Sequence, residues 1–123
     1  MNALEIVNKF NASVVDKQGE GLIELKTDDI VFDGPFLKTS GAKNFIRGYQ
    51  IFIQAKKLYK MLKQFADGND VCSIYLMDMK TPQGVVACHI ADWMEVHEDK
   101  IAKITICFDP RALAKALGRQ EDQ

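Results

Sequence analysis

Two aspartates lie within, or at the end of, apolar strand-forming segments of this chain. Asp33 follows the apolar segment 30–32 and precedes a Gly-Pro pair, and Asp92 lies inside the apolar segment 85–96. A carboxylate in such a place must be solvated, paired or kept neutral, and carboxylates of this kind are common at functional sites. Two such groups suit acid–base chemistry, in which one accepts a proton and the other donates a hydrogen bond.

Each aspartate also has a structural interpretation. Asp33 could be a turn residue whose carboxylate accepts backbone N–H hydrogen bonds. Asp92 is harder to explain in this way because aspartate is depleted in strands, although a salt bridge at an edge or interface would suffice. Histidine is a common acid–base residue in catalysis, but alternation along the strand places His89 on the face opposite Asp92. No histidine–carboxylate spacing or nucleophile triad is recognisable, so we expect no metal and no cofactor.

Length and composition restrict the protein class. The chain has 123 residues, of which 47% are hydrophobic and 27% charged, which predicts one globular domain spanning 1–123. A net charge of −1 predicts no nucleic acid and no membrane as partner. The three cysteines, Cys72, Cys88 and Cys107, are widely spaced among apolar neighbours. They favour reduced, buried thiols and a cytoplasmic protein without a secretory signal.

Basic residues are concentrated in one stretch. Residues 38–63 carry seven lysines and arginines and no acidic residue. One interpretation is a solvated helix face followed by an edge strand that lysines protect from aggregation. The other is attraction of an anionic ligand. The first is favoured because no glycine-rich phosphate loop accompanies the lysines.

The elements that would position both aspartates follow from hydrophobic periodicity and turn residues. A helix, a short helix, a strand and a further helix precede four strands in hairpin sequence, and Pro110 suits the start of a last short helix. This order predicts an α+β domain, in which helices cover one face of a curved antiparallel sheet. The predicted helices are 3–15, 22–25 and 41–55, and the predicted strands are 30–33, 58–66, 71–80, 85–96 and 101–108.

With its elements in this order, the chain resembles the nuclear transport factor 2-like superfamily and, within it, the SnoaL-like proteins. The resemblance rests on segment 27–35, Gly41, the turn 67–70 and segment 92–110. It implies a cone-shaped α+β barrel, a pocket between sheet and helices, and frequent homodimers. Members include ketosteroid isomerases, polyketide cyclases, dehydratases, epoxide hydrolases and non-catalytic binding domains, so the fold alone does not define an activity.

The same resemblance suggests roles for the aspartates. Asp33 resembles the general base of ketosteroid isomerases, and Asp92 resembles the carboxylic acid that those enzymes keep protonated as an oxyanion hydrogen-bond donor. The chain departs from them at residues 9–11, where Lys-Phe-Asn replaces the segment that carries their oxyanion tyrosine. This departure argues against steroid isomerisation. A phenol could instead come from Tyr49, Tyr59 or Tyr75.

Strand alternation predicts the pocket. On the last strand Ile104, Ile106 and Phe108 form a wholly apolar face, which must be the inner one. Pairing through the turn 97–100 puts Asp92 and Met94 on the same side. We therefore predict that Asp33 and Asp92 open into one cavity. The predicted ligand-binding residues are Phe32, Phe36, Tyr49, Phe52, Tyr75, Met94, Ile104, Ile106 and Phe108.

The opposite face carries His89, Ala91 and Trp93, and this apolar patch predicts a homodimer interface. Two functions remain open. One is a cofactor-independent enzyme of the isomerase, cyclase or dehydratase type that acts on a small, mainly apolar carbonyl compound. The other is a non-catalytic module for ligand binding or dimerisation.

Overall fold

A computed structural model of the protein describes residues 2–16 and 22–118. These ranges contain four helices and six strands, and the second helix is a single turn. The predicted break after the first helix falls mostly at 17–21, outside the described residues. The elements are α1 (Ala3–Asp16), α2 (Leu22–Leu25), β1 (Lys26–Asp33), β2 (Lys38–Ser40), α3 (Ala42–Ala55), β3 (Lys56–Asp67), β4 (Asp70–Thr81), β5 (Gly84–His97), β6 (Lys100–Cys107) and α4 (Arg111–Ala116).

The six strands form one curved sheet in the order β2-β1-β6-β5-β4-β3. Neighbouring strands are antiparallel except β1 and β6, which run parallel. Because β2 and β3 are edge strands, the sheet stays open. The α+β class with a curved sheet around helices is confirmed.

Alternation along β5 separates two environments. Its even-numbered side chains from Cys88 to Val96 are buried, whereas His89 and Trp93 between them are exposed. The even-numbered side chains face α1 and α3, and we call this the inner face of the sheet; the other is the outer face. Each strand contributes to both faces because successive side chains point in opposite directions.

The helices bury their apolar stripes on the inner face. The Phe10 ring of α1 lies 6.3 Å from Phe45 and 5.7 Å from Tyr49 of α3, and the centroids of those two rings are 4.7 Å apart. Such tilted aromatic pairs add to the free energy of burial. Gly41 joins β2 to α3 with φ at +90°, which favours glycine, and its N–H donates to the Ile30 carbonyl over 2.9 Å. This turn fixes α3 over β1.

Three details differ from the sequence prediction. β1 begins at Lys26 rather than at residue 30, because Lys26 already pairs with Ile101 of β6 before the register shifts between Lys26 and Val31. β2 was not predicted, since its three polar residues have no periodicity and depend on pairing with β1. Of the thiols, Cys88 is buried, but Cys107 is exposed. The prediction of buried thiols was therefore wrong for Cys107, which follows the inward-facing Ile106 and points outward.

Candidate functional site

A cavity of about 630 Å³ lies between α3, the inner face of the sheet, the 34–37 connection and α4. This volume is typical of small-molecule sites. The interior is apolar: α3 contributes Phe45 and Tyr49, and β5 contributes Cys88 and Ile90. The cavity is also lined by Phe32, Phe36, Leu37, Met79, Ile106, Phe108, Leu113 and Leu117.

The structure divides the predicted ligand-binding residues into two groups. Five of them line this cavity: Phe32, Phe36, Tyr49, Ile106 and Phe108. Met94, Ile104 and Tyr75 are buried and absent from the lining. Met94 and Ile104 are paired neighbours farther along β5 and β6, where helix side chains fill the space. The Phe52 side chain lies outside the described residues.

Several lining residues were not predicted. Cys88 and Ile90 share the inner face with Asp92, so alternation along β5 contained the signal that would have found them. Leu37 has no such signal: its side chain reaches the cavity because Gly48 of α3 leaves room for it, and a Cβ at Gly48 would stand 2.5 Å from Leu37 Cδ2. Leu113 and Leu117 depend on how α4 folds back onto β5, which sequence periodicity does not specify.

Asp92 is a carboxyl group buried on the inner face of β5, with 1% of its surface exposed. The Tyr75 hydroxyl donates a hydrogen bond to Asp92 Oδ2 over 3.0 Å. The other oxygen, Oδ1, is buried with no hydrogen-bond partner among the described residues. Burial raises the pKa of Asp92 to about 7, and the Tyr75 hydrogen bond opposes part of that rise. Both protonation states are therefore populated near neutral pH.

Asp92 lies beside the inner wall of the cavity but, like Asp33, does not itself line it. It is the next inward-facing residue after Ile90, about 6.6 Å along β5. Its pairing partner on the neighbouring strand β6 is Ile106. Ile90 and Ile106 both line the cavity, as does Tyr49. Burial, followed by the charge of Asp92, raises the pKa of Tyr49. Apolar side chains and one phenol thus separate the carboxyl group from the open space.

Tyrosines surround this carboxyl group. The rings of Tyr59 and Tyr75 have centroids 4.8 Å apart, and the Tyr59 hydroxyl is buried with no hydrogen-bond partner among the described residues. Burial and then the charge of Asp92 raise the pKa of both phenols, so they stay protonated donors. Tyr75 from β4 thus donates its hydroxyl group to Asp92, whereas the resemblance to ketosteroid isomerases implied a phenol that contacts the ligand oxyanion.

Asp33 occupies a different environment. It pairs with Thr105, whereas Phe32 pairs with Ile104, so alternation turns Asp33 away from the inner face that Phe32 occupies. Its carboxylate is 44% exposed and lies 3.7 Å from the Lys38 ammonium. Asp33 does not line the cavity. The structure thus corrects the expected placement, because Phe32 and Asp33 are adjacent in one strand and cannot both point inward. The catalytic roles of both aspartates stay predictions.

Within residues 2–16 and 22–118, no three histidine, cysteine or acidic side chains are grouped as metal ligands would be. The polar residues that line the cavity include Lys38, Arg47 and Lys80, and the lining holds no acidic residue from the described part of the chain. In the same described ranges, no helix has both the length and the hydrophobicity needed to cross a membrane.

A match to a family model shows the family of this chain. The family model of the SnoaL-like domain matches residues 7–104. The chain therefore belongs to the SnoaL-like domain family. No protein with a curated description is similar enough to count as a match.

Solved structures share the fold at low sequence identity. An NTF2-like protein of unknown function from Cytophaga hutchinsonii is 21% identical, with a TM-score of 0.79 over 92% of this chain and 95% of its own. A cystatin-like protein of unknown function from Xanthomonas campestris is 12% identical, with a TM-score of 0.85 over 98% and 100%. A steroid delta-isomerase from Pseudomonas aeruginosa is 19% identical, with a TM-score of 0.78 over 95% and 86%. At these identities the similarity is one of fold.

Asp92 should make the stability of the protein depend on pH. Its folded-state pKa of about 7 exceeds the ordinary 3.8, so the stabilisation is complete below about pH 4 and is lost as pH rises through 7. Between pH 5 and pH 8 we expect the free energy of unfolding in urea to fall by on the order of 3 kcal/mol. Asp92→Asn removes the titrating group and should abolish most of this decrease.

Asp33→Asn is the matched control, because it neutralises an exposed carboxylate. This variant should keep the decrease seen in the unaltered protein. An equal decrease in Asp92→Asn would mean that Asp92 does not carry the raised pKa.

Proposed function

We propose that this protein binds a small, mainly apolar carbonyl compound in its cavity and acts on it by acid–base chemistry without a cofactor. The reaction would be of the isomerase, cyclase or dehydratase type. The observation that carries the proposal is the Asp92–Tyr75 hydrogen bond, which lies behind the apolar wall that Ile90 and Ile106 contribute to the cavity. Three properties support the proposal: the protonation state of Asp92, the vacant hydrogen-bonding position at its Oδ1, and the apolar side chains around it.

The protonation state suits proton transfer. A general acid or base works best when its pKa lies near the working pH, and the pKa of Asp92 is raised to about 7. The ionised form could take a proton from carbon beside the ligand carbonyl. The protonated form could return it at another carbon or donate a hydrogen bond to the developing oxyanion. Tyr75 would stabilise the ionised form by donating to Oδ2.

The vacant position supports a ligand contact. Buried polar atoms are almost always hydrogen-bonded, and leaving one unsatisfied costs about 1–3 kcal/mol. Asp92 Oδ1 is such an atom. A ligand oxygen that reached past Ile90 and Ile106 would satisfy it when the carboxyl group is protonated. The apolar lining would keep water away and strengthen that hydrogen bond.

Asp33 is a weaker candidate for the base than the family resemblance implies. Its carboxylate faces solvent beside Lys38, and a base has to reach the proton that it removes. Asp92 alone could shuttle one proton between two positions of a ligand, so a second carboxylate is not required.

The alternative is a non-catalytic ligand-binding module. It is favoured by the absence of an acidic residue from the cavity lining, since many acid–base sites pair two titratable groups. The two functions share the cavity and differ in whether Asp92 exchanges protons with the ligand.

Deuterium exchange separates these functions before a natural substrate is known. A panel of apolar ketones with acidic protons beside the carbonyl would be incubated with the protein in deuterium oxide and followed by NMR. We expect catalysed exchange in at least one ketone. Asp92→Asn should slow it at least about 100-fold, the usual contribution of a general acid–base group. The Asp33→Asn variant should catalyse exchange of the ketone at the same rate as the unaltered protein.

Loss of exchange in Asp33→Asn, with Asp92→Asn unaffected, would contradict the proposal and restore Asp33 as the base. Ketones that bind without any exchange would favour the non-catalytic module. Both variants should be compared at equal folded fraction, because Asp92 also affects stability.

We further propose a homodimer through the outer face of the sheet. Large apolar side chains remain exposed there: Leu58 of β3 at 55%, Leu76 of β4 at 37% and Trp93 of β5 at 44%. Ala91 beside Trp93 would let a second sheet approach closely. Exposed apolar patches of this kind mark association surfaces, and two-fold pairing of one surface with itself is the commonest arrangement.

Trp93→Lys should break this dimer, because two-fold symmetry would bring the new charges into one buried interface. Light scattering coupled to size-exclusion chromatography should give the dimer mass for the unaltered protein and the monomer mass for the variant. Gln83→Lys in the exposed β4–β5 turn adds the same charge and should leave the dimer intact. A monomer mass for the unaltered protein at micromolar concentration would rule out this interface.

A further inference from the structure

We propose that the ligand is an anionic amphiphile, with an apolar body inside the cavity and one carboxylate or similar anionic group at its mouth. This inference rests on the proposed function of the cavity and specifies its ligand class. It follows from charges and donors at the mouth that the acid–base chemistry does not use.

The charge at the mouth has one sign. Lys38, Arg47 and Lys80 line the cavity, and none of the acidic residues in the described ranges does so. The Lys38 ammonium lies 3.7 Å from the outward-facing Asp33 carboxylate, so the net positive charge comes mainly from Arg47 and Lys80. No ion pair involves Arg47 or Lys80 in the described part of the chain. A low-dielectric cavity concentrates the field of these cations at its opening and attracts an anion.

The basic residues come from separate elements. Lys38 belongs to β2, Arg47 to α3, and Lys80 to the end of β4. Two of them fall in the basic stretch 38–63, for which the sequence analysis considered anion attraction as the second interpretation. The fold places Lys38 and Arg47 at a cavity mouth and adds Lys80 from outside that stretch. A solvated helix face alone does not account for this convergence.

An unsatisfied donor accompanies the cations. Thr39 lies between Lys38 and Ser40 on β2 and lines the cavity. Its Oγ1 is buried and has no hydrogen-bond partner among the described residues. Because buried hydroxyl groups are normally hydrogen-bonded, an anionic oxygen at this position would complete the site. Arg47 could add a charge-assisted hydrogen bond, which is stronger than a neutral one.

The two ends of the cavity therefore differ. Ile90, Ile106 and Phe108 make its interior apolar, and the mouth is cationic. A neutral apolar ligand would leave the Thr39 hydroxyl unsatisfied, whereas an anionic amphiphile would match both ends and place its body toward Asp92. A small polar anion would match the mouth but would bury almost no apolar surface in the interior.

Two fluorescent probes with the same ring system test this ligand class. Anilinonaphthalene sulfonate carries one negative charge, and phenylnaphthylamine carries none. Fluorescence titration of the full chain should show tighter binding of the sulfonate, with the preference shrinking as salt is added. Arg47→Gln should weaken sulfonate binding about fivefold and leave phenylnaphthylamine unchanged. Thr39→Val should also weaken sulfonate binding and leave phenylnaphthylamine binding unchanged.

Lys100→Gln is the matched control, because it removes one positive charge at the exposed β5–β6 turn. It should leave the affinities for both probes unchanged. Equal affinity for both probes, or equal losses in Arg47→Gln and Lys100→Gln, would overturn the anionic ligand class while leaving the apolar cavity in place. Failure of both probes to bind would instead contradict the proposed ligand-binding function.

Discussion

The carboxyl group of Asp92 on the buried face of β5 constrains the site more than any other group. A charge in such a place loses its hydration, and among the described residues only the Tyr75 hydroxyl donates a hydrogen bond to the Asp92 side chain. The group therefore keeps its proton to a higher pH than an exposed aspartate. The surrounding phenols remain protonated for the same reason. A dry, neutral and incompletely satisfied polar group is costly for folding, and its retention is understandable if a ligand completes it.

The alternation of side chains along the strands transmits this constraint to the rest of the fold. The inner face presents Asp92 and the cavity residues to α1 and α3, and the outer face presents Trp93 to solvent. The same rule separates Phe32 from Asp33. A one-residue shift in register would exchange the two faces, so the cavity and the outer apolar patch depend on one set of strand pairings. The bulges between Lys26 and Val31 and between Glu95 and Val96 show where the register changes.

Much of this arrangement could be predicted from the sequence because it depends on local periodicity. The helix stripe through Phe10, the α3 stripe through Phe45 and Tyr49, and the inward position of Asp92 all follow from spacing along one element. The placement of Asp33 could have been corrected by the same alternation, since Phe32 was already assigned to the pocket. Features that depend on two distant elements could not be predicted. The Tyr75–Asp92 hydrogen bond needs the β4–β5 register, and the cavity mouth needs β2 and α4, whose short sequences carry no periodic signal.

The proposed chemistry depends most directly on Asp92, a buried carboxyl group whose pKa is raised to about 7 beside the inner wall of the cavity. Its side-chain carboxyl carbon can be followed by NMR across a pH titration, with the signal assigned by its absence in Asp92→Asn. The account predicts a midpoint near pH 7, and Tyr75→Phe should raise that midpoint because the hydroxyl group stabilises the ionised form. A midpoint near the ordinary aspartate value of 3.8, unchanged in Tyr75→Phe, would contradict it.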